Sequence, residues 1–239
     1  LSREVDLAVH SAKDVPSEMA GGLALVGVPA REEPADVFVG AARAFDELRQ
    51  GARIGTASLR RRSQLLALRP DLEVVELRGN VDTRLRKLDD GDLDGIVLAA
   101  AGLRRLGRDG EAAYDFDAAQ MTPAPGQGSL MLQSRAGDAE VAAAAAGLSD
   151  ETALLELTAE RAAVRELGAS CTTPVGVLAR RRGEELTVEG YAGLPDGSEW
   201  VRDLVEGSDR DAAELGRLLG ERMLVAGARE ILERAEQAA

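Results

Sequence analysis

Three times between residues 53 and 107 a short apolar run gives way, through a small polar turn, to a stretch whose apolar residues recur at helical spacing. The first unit runs from Arg53-Ile54-Gly55 through Thr56-Ala57-Ser58 to a helix with Leu59, Ser63 and Leu66 on one face. The second takes residues 72–77 as strand, Arg78-Gly79-Asn80 as turn, and Val81, Leu85 and Leu88 as the buried stripe of a helix closing near Gly91. The third is residues 95–100, Ala101-Gly102 and a short basic helix over 103–106. Strand-length runs answered each time by a 3.6-residue period predict a parallel sheet covered by helices.

Ten arginines fall between residues 53 and 105, and in all three units arginines sit just past the carboxyl end of the predicted strand or in the first turns of the next helix. In open parallel sheets that edge binds ligands, because loops converge there and helix N-termini offer unpaired N–H groups. Arg60, Arg61, Arg78, Arg84 and Arg105 are expected to face one cleft, with Arg62, Arg86 and Arg104 pointing outward. The bland reading of any one of them is a solvated helix face; the repetition across three units favours the cleft. The whole chain is acidic, with net charge −13 and 3% aromatic residues, so attraction to nucleic acid or to anionic lipid is not expected. An anion would have to be held locally.

The flanks differ from this middle. Residues 5–9 and 23–28 read as strands, residues 31–34 as a crossover, and Thr122-Pro-Ala-Pro-Gly-Gln-Gly128 as an irregular turn returning the chain, through an apolar run at 129–132, to the sheet begun by 5–9. Residues 151–166 form a helix stopped by Gly168, three strand-like runs at 175–179, 186–192 and 199–205 form an antiparallel meander, and one closing helix spans 210–235. The third part is thus a small α+β domain whose first loop carries the sole cysteine, Cys171.

One cysteine and one histidine exclude an intramolecular disulfide and a four-ligand zinc site, and no metal is expected. No apolar run has membrane-spanning length and no leader is visible, so a soluble, cytoplasmic chain is expected. Phosphate-loop, dinucleotide and H-E-x-x-H patterns do not occur, and Gly126-Gln127-Gly128 is too short to count as one. His10 and Cys171 lie far apart in sequence, leaving a Cys-His hydrolase unsupported. What remains is a carboxylate beside a lysine in a loop (Lys13-Asp14), a row of arginines and a lone thiol on a polar loop. A lone cysteine commonly packs as a small hydrophobe; the polar neighbours of Cys171 favour access. For Asp14 the bland reading is a capping residue ahead of Pro16.

The runs His10-Ser-Ala-Lys-Asp-Val-Pro16, Gly55-Thr-Ala-Ser-Leu-Arg-Arg61, Leu77-Arg-Gly-Asn-Val81 with Thr83-Arg84-Leu85, Ala100-Ala-Gly-Leu-Arg-Arg-Leu-Gly107, Pro125-Gly-Gln-Gly128, Thr158-Ala-Glu-Arg161 and the Cys171 loop ending Pro174-Val-Gly176 together resemble the porphobilinogen deaminase (hydroxymethylbilane synthase) family, in order and over nearly the whole chain. The resemblance implies an α/β fold of two doubly wound, periplasmic-binding-protein-like domains (the first incomplete) and a small α+β C-terminal domain with a three-stranded antiparallel sheet. The implied boundaries are 1–31 with 123–150, then 32–122, then 151–239. It implies a monomeric transferase that joins four porphobilinogen molecules into a linear tetrapyrrole of haem biosynthesis, releasing ammonia, on a dipyrromethane cofactor held by Cys171 through a thioether.

By the same resemblance Asp14 is catalytic, accepting pyrrole N–H bonds and stabilising positive charge on the ring nitrogen. Ser11, Lys13, Thr56, Ser58, Arg60, Arg61, Arg78, Asn80, Arg84, Gly102 and Arg105 are the implied cofactor-binding residues, the guanidiniums being suited to bidentate hold on acetate and propionate arms. Family members carry an N-terminal region that this sequence lacks, so weak or absent activity is expected of the chain alone. Two other readings stay open: a two-domain carboxylate-binding protein without catalysis, and nucleic-acid binding through residues 59–69.

Overall fold

The computed structural model describes residues 4–170 and 173–237. Strand β1 (Leu7–Ser11) leads into a single 3₁₀ turn, Ala12–Asp14, and then β2 (Leu23–Gly27). Strands β3 (Asp36–Gly40) and β4 (Arg53–Gly55) precede α1 (Leu59–Leu68), followed by β5 (Glu73–Val75), α2 (Val81–Asp89), β6 (Gly95–Ala99), α3 (Ala100–Arg105) and β7 (Tyr114–Asp115). The chain then forms β8 (Leu130–Arg135), α4 (Ala139–Ala146), α5 (Glu151–Leu167), the hairpin strands β9 (Val175–Arg182), β10 (Glu185–Gly193) and β11 (Trp200–Ser208), and finally α6 (Ala212–Val225) and α7 (Ala228–Gln237).

The three predicted strand-to-helix units are present, and their turns work as caps. Ser58 and Asn80 each accept from the backbone N–H three residues on, Arg61 at 3.4 Å and Thr83 at 2.9 Å, which satisfies one of the free donors opening α1 and α2. Strands β5, β4 and β6 run parallel. The sheet is mixed, however, with order β5-β4-β6-β3-β7, because β3 pairs antiparallel with both β6 and β7. Sequence reading treats residues 31–34 as a crossover and places no strand after it, so it misses β3. The alternation in β3 is plain once paired: Val37 and Val39 join Ile96, Leu98 and Leu85 on one face, while Phe38 joins Ile54, Leu65 and Val97 on the other.

The return of the chain after residue 128 is as predicted. Strand β8 lies between β1 and β2 and is antiparallel to both. The predicted strand at 72–77 is shorter, although Leu72 and Leu77 are still buried at its two ends. The C-terminal meander β11-β10-β9 forms as read, and α5 and α6 pack on it around Val177, Val188, Leu219 and Met223. The single closing helix does not form. Gly227 stands at φ 103°, a conformation only glycine adopts readily, and it divides that stretch into α6 and α7.

Candidate functional site

A cleft of about 1270 Å³ opens between the turn after β1, the start of α1, the edge of α2 and the loop after α5. That exceeds the usual range of about 300–1,000 Å³ for a drug-sized ligand, so the space suits an oligomer or several small molecules. Eight basic residues line it against three acidic ones, the reverse of the chain's overall balance.

The 3₁₀ turn puts Lys13 and Asp14 on the wall. It is anchored by Ala12, whose N–H donates to the Ser129 carbonyl at 3.0 Å, and by Val15 N–H bonding back to Ala12 O at 3.3 Å. Asp14 is exposed. Lys13 is inset, with no carboxylate in ion-pairing range among the described residues, and burial followed by the nearby Arg61 guanidinium pushes its ammonium down from 10.5 to about 8. Ser11, at the end of β1 opposite Leu130, stands off the cleft wall.

Thr56 and Ser58 occupy the β4–α1 turn on the wall, and both hydroxyls accept local bonds, Thr56 Oγ1 from Ser58 N–H at 3.2 Å and Ser58 Oγ from Arg61 N–H. Arg60 and Arg61 reach the cleft but are buried and already hold a carboxylate of the protein. Arg60 Nη1 donates to Asp36 Oδ2 at 2.7 Å and to Thr122 O at 2.8 Å; Arg61 donates Nε to Asp36 Oδ1 at 2.9 Å and Nη1 to Val97 O at 2.9 Å. Gln127 Nε2 adds a bond to Asp36 Oδ1 at 3.0 Å. Burial works against the charge on Asp36, but the two guanidiniums overcome it and hold the carboxyl down at about 2. Two cations against one anion leave a net positive charge at the cleft, and Arg60 Nε is a buried donor with no partner among the described residues.

Arg84 projects from α2 onto the wall with its Nε buried and likewise unpartnered; burial and the charge of Arg61 lower its pKa. Arg78 sits at the exposed rim, its Nε on Glu76 Oε1 at 2.5 Å. Asn80 spends its side-chain oxygen on the α2 cap, Arg105 Nη2 braces the Gly128 carbonyl at 2.7 Å, and Gly102 lies on α3 with room for a side chain. None of these three lines the cleft. Arg62, expected to point outward, lies on the wall and donates to Val74 O at 3.2 Å, whereas Arg104 is exposed and paired with Glu32. Cys171 lies outside the described residues. Ser170 and Thr173, on either side of it, both line the cleft, and Thr173 Oγ1 donates to Ser170 O at 2.7 Å.

Sequence reading misses Asp36 as a partner. Its one signal is an aspartate opening an apolar strand, a residue type strands disfavour unless it is paired. It also misses Arg31, which bridges Glu156 at 3.1 Å and Glu160 at 2.7 Å beneath the site.

A basic cleft in an acidic mixed α/β chain, with unpartnered guanidinium donors and with Ser170 and Thr173 at its wall, defines a protein built to hold an acidic small molecule. The sequence profile described as porphobilinogen deaminase, dipyromethane cofactor binding domain, matches residues 1–143, and the one described as the C-terminal domain of porphobilinogen deaminase matches residues 154–225. The porphobilinogen deaminase of Syntrophus aciditrophicus is 48% identical over 99% of this chain and 78% of its own length; that of Thermus thermophilus is 48% identical over 97% and 78%, and that of Campylobacter concisus 43% over 100% and 78%. The chain belongs to the porphobilinogen deaminase family, a family of transferases. Among solved structures, the periplasmic VFT2 domain of Bordetella pertussis BvgS aligns with TM-score 0.40 and 20% identity over 67% of each chain, a likeness too slight to build on.

The family's dipyrromethane cofactor is a chain of acidic pyrroles, and the residues present fit it. The unpartnered Nε atoms of Arg60 and Arg84 and an inset Lys13 without a carboxylate are donors waiting for anionic oxygens.

Proposed function

We propose that this chain joins four porphobilinogen molecules head to tail into hydroxymethylbilane, one ammonia leaving at each addition, on a dipyrromethane group joined to Cys171 through a thioether. The observation that carries the reading is the inverted charge of the cleft, eight basic residues against three acidic in a chain of net charge −13. Each pyrrole adds about two carboxylates to the bound chain, so a site for the growing product must supply a matching surplus of cations. When bound, the dipyrromethane group supplies the pyrrole carbon that accepts the first ring.

In this reading Lys13, Arg78 and Arg84 pair with acetate and propionate arms, Arg60 and Arg61 add the surplus charge they do not spend on Asp36, and the Thr56 and Ser58 hydroxyls donate to ligand oxygens. Asp14 accepts pyrrole N–H and stabilises the positive charge developing on ring nitrogen as the aminomethyl carbon loses its ammonia. The reading extends to a cytoplasmic monomer of haem synthesis with domains at 1–31 plus 123–150, 32–122 and 151–239, the first two doubly wound.

The test, made on the chain joined to the N-terminal region that its family members carry, is the intact mass together with ammonia release. An adduct that disappears in Cys171→Ser, and one ammonia per porphobilinogen consumed, are expected. Asp14→Asn should keep the adduct and the fold yet lose turnover by about 10²-fold or more. A bare thiol with binding of porphobilinogen but no ammonia would leave only a carboxylate-binding protein.

A further inference from the structure

Arg161, the last residue of the run Thr158-Ala-Glu-Arg161, is one of the eight basic residues on the cleft wall, but its guanidinium is spent on backbone, and with Glu160 it grips both sides of the turn that carries Lys13 and Asp14. On one side, Glu160 Oε2 accepts from Gly126 N–H at 2.5 Å. Gly126, at φ 74°, packs so closely under the turn that a Cβ there would stand 2.9 Å from the Ala12 Cβ and 3.1 Å from the Lys13 nitrogen. On the other side, Arg161 donates Nη2 to Pro16 O at 2.6 Å and Ser17 O at 2.9 Å, and Nη1 to Val15 O at 3.3 Å. Its remaining contact is the Met131 sulfur at 3.7 Å, and no carboxylate of the described residues forms an ion pair with it. Three successive carbonyls converge on one planar guanidinium only in a narrow range of backbone conformations, so the fork selects the conformation of residues 15–17. The same helix, α5, ends about two turns later at Gly168 and feeds the loop of Cys171.

We propose that Arg161 is a positioning residue, one that sets where Asp14 and Lys13 stand in the cleft by clamping the carbonyls that follow them. The inference rests on the function proposed above for its kinetic consequence, but the clamp itself can be read without turnover.

The experiment compares Arg161→Lys and Arg161→Gln with the parent in the full, cofactor-loaded chain. Both variants should lower kcat by about ten- to a hundredfold, since small displacements of a catalytic group cost rates of that order. KM for porphobilinogen should stay within about twofold, because the lost contact is not with substrate. Hydrogen exchange at the amides of residues 13–15 and of Ser17 should speed by about tenfold or more in both, with α5 amides and the melting midpoint of Arg161→Lys unchanged. Full activity and exchange protection in Arg161→Lys would reduce the residue to a charge and overturn the proposal. A raised KM at unchanged kcat would make it a substrate ligand and overturn it equally. If the parent releases no ammonia, the function fails while the exchange result still decides the clamp.

Discussion

Two buried ion clusters sit at the base of this molecule with opposite stoichiometry. At Asp36 one carboxylate faces two guanidiniums, Arg60 and Arg61. At Arg31 one guanidinium faces two carboxylates, Glu156 and Glu160. The second cluster absorbs its surplus negative charge internally: Glu160 accepts from the N–H groups of Gly126 and Ala179, and Glu156 from that of Arg181 at 3.0 Å. Fixed backbone donors leave those carboxylates closed to any ligand. The surplus of the Asp36 cluster is not absorbed. It faces the cleft beside Lys13 and Arg84, where there is no second carboxylate in ion-pairing range among the described residues. One cluster therefore ties elements together and the other does so while presenting charge.

The sharpest way to break this comparison is to neutralise one carboxylate in each. Asp36→Asn leaves two buried guanidiniums without their counter-charge and should cost about 3–5 kcal/mol. Glu160→Gln leaves Arg31 its second carboxylate and keeps an acceptor for the amides, and should cost about 1–2 kcal/mol. Urea unfolding of both reads the difference, and equal costs would erase the distinction. Acid sharpens it further. Asp36 is held at about 2 in the fold against an ordinary 3.8, so its stabilisation is complete above the unfolded value and is lost as pH falls through that window. In Asp36→Asn that part of the acid destabilisation should be missing.

Next in size is Arg84→Met. Arg84 is half-buried and its buried Nε has no partner among the described residues, so its removal should leave stability unchanged or raise it by about 1 kcal/mol. Affinity for porphobilinogen, read by calorimetry, should drop about tenfold or more through the lost charge-assisted bond. A stability loss instead would mean that Arg84 is structural, like Arg31.

Local signals and long-range pairings differ in how far the sequence discloses them. The strand-helix units, the Ser58 and Asn80 caps, the Gly168 stop and the C-terminal meander are encoded within a few residues of where they act, so periodicity and turn chemistry disclose them. Family motifs pointed to Lys13, Asp14 and the arginines, and the fold brings most of them to one wall. Asp36 was hidden because its partners lie 24 and 25 residues away and across a sheet, and ion pairing over such separations leaves no local mark. The same holds for Arg31 with Glu160 and for Arg161 with the carbonyls of residues 15–17. The break at Gly227 was visible as a glycine, but a helix tolerates one, and only packing of both halves decides for a break.

Lys13 gives the third test. Its ammonium titrates near 8 in the free protein, and a bound carboxylate raises that value. Binding of porphobilinogen should thus be strongest below pH 8 and weaken by up to about tenfold per pH unit above it, until the bound-state value is passed. Lys13→Gln should bind more weakly and lose this slope. A slope unchanged in the variant would assign the proton elsewhere.

The smallest expected effect concerns the rim. Arg78 is paired with Glu76 where both side chains are largely exposed, and such pairs contribute little to stability because water and salt screen them. Glu76 is nevertheless a competitor, since a ligand carboxylate reaching Arg78 must displace one that the protein already supplies. Glu76→Gln should leave the unfolding midpoint unchanged and raise affinity for porphobilinogen by about two- to threefold, with the gain fading at high ionic strength. The buried counterpart behaves in the opposite way: Asp36 also competes for guanidiniums that face the cleft, but removing it should cost the fold more than any ligand gains. The same type of ion pair is thus a gate where water reaches it and a strut where water does not.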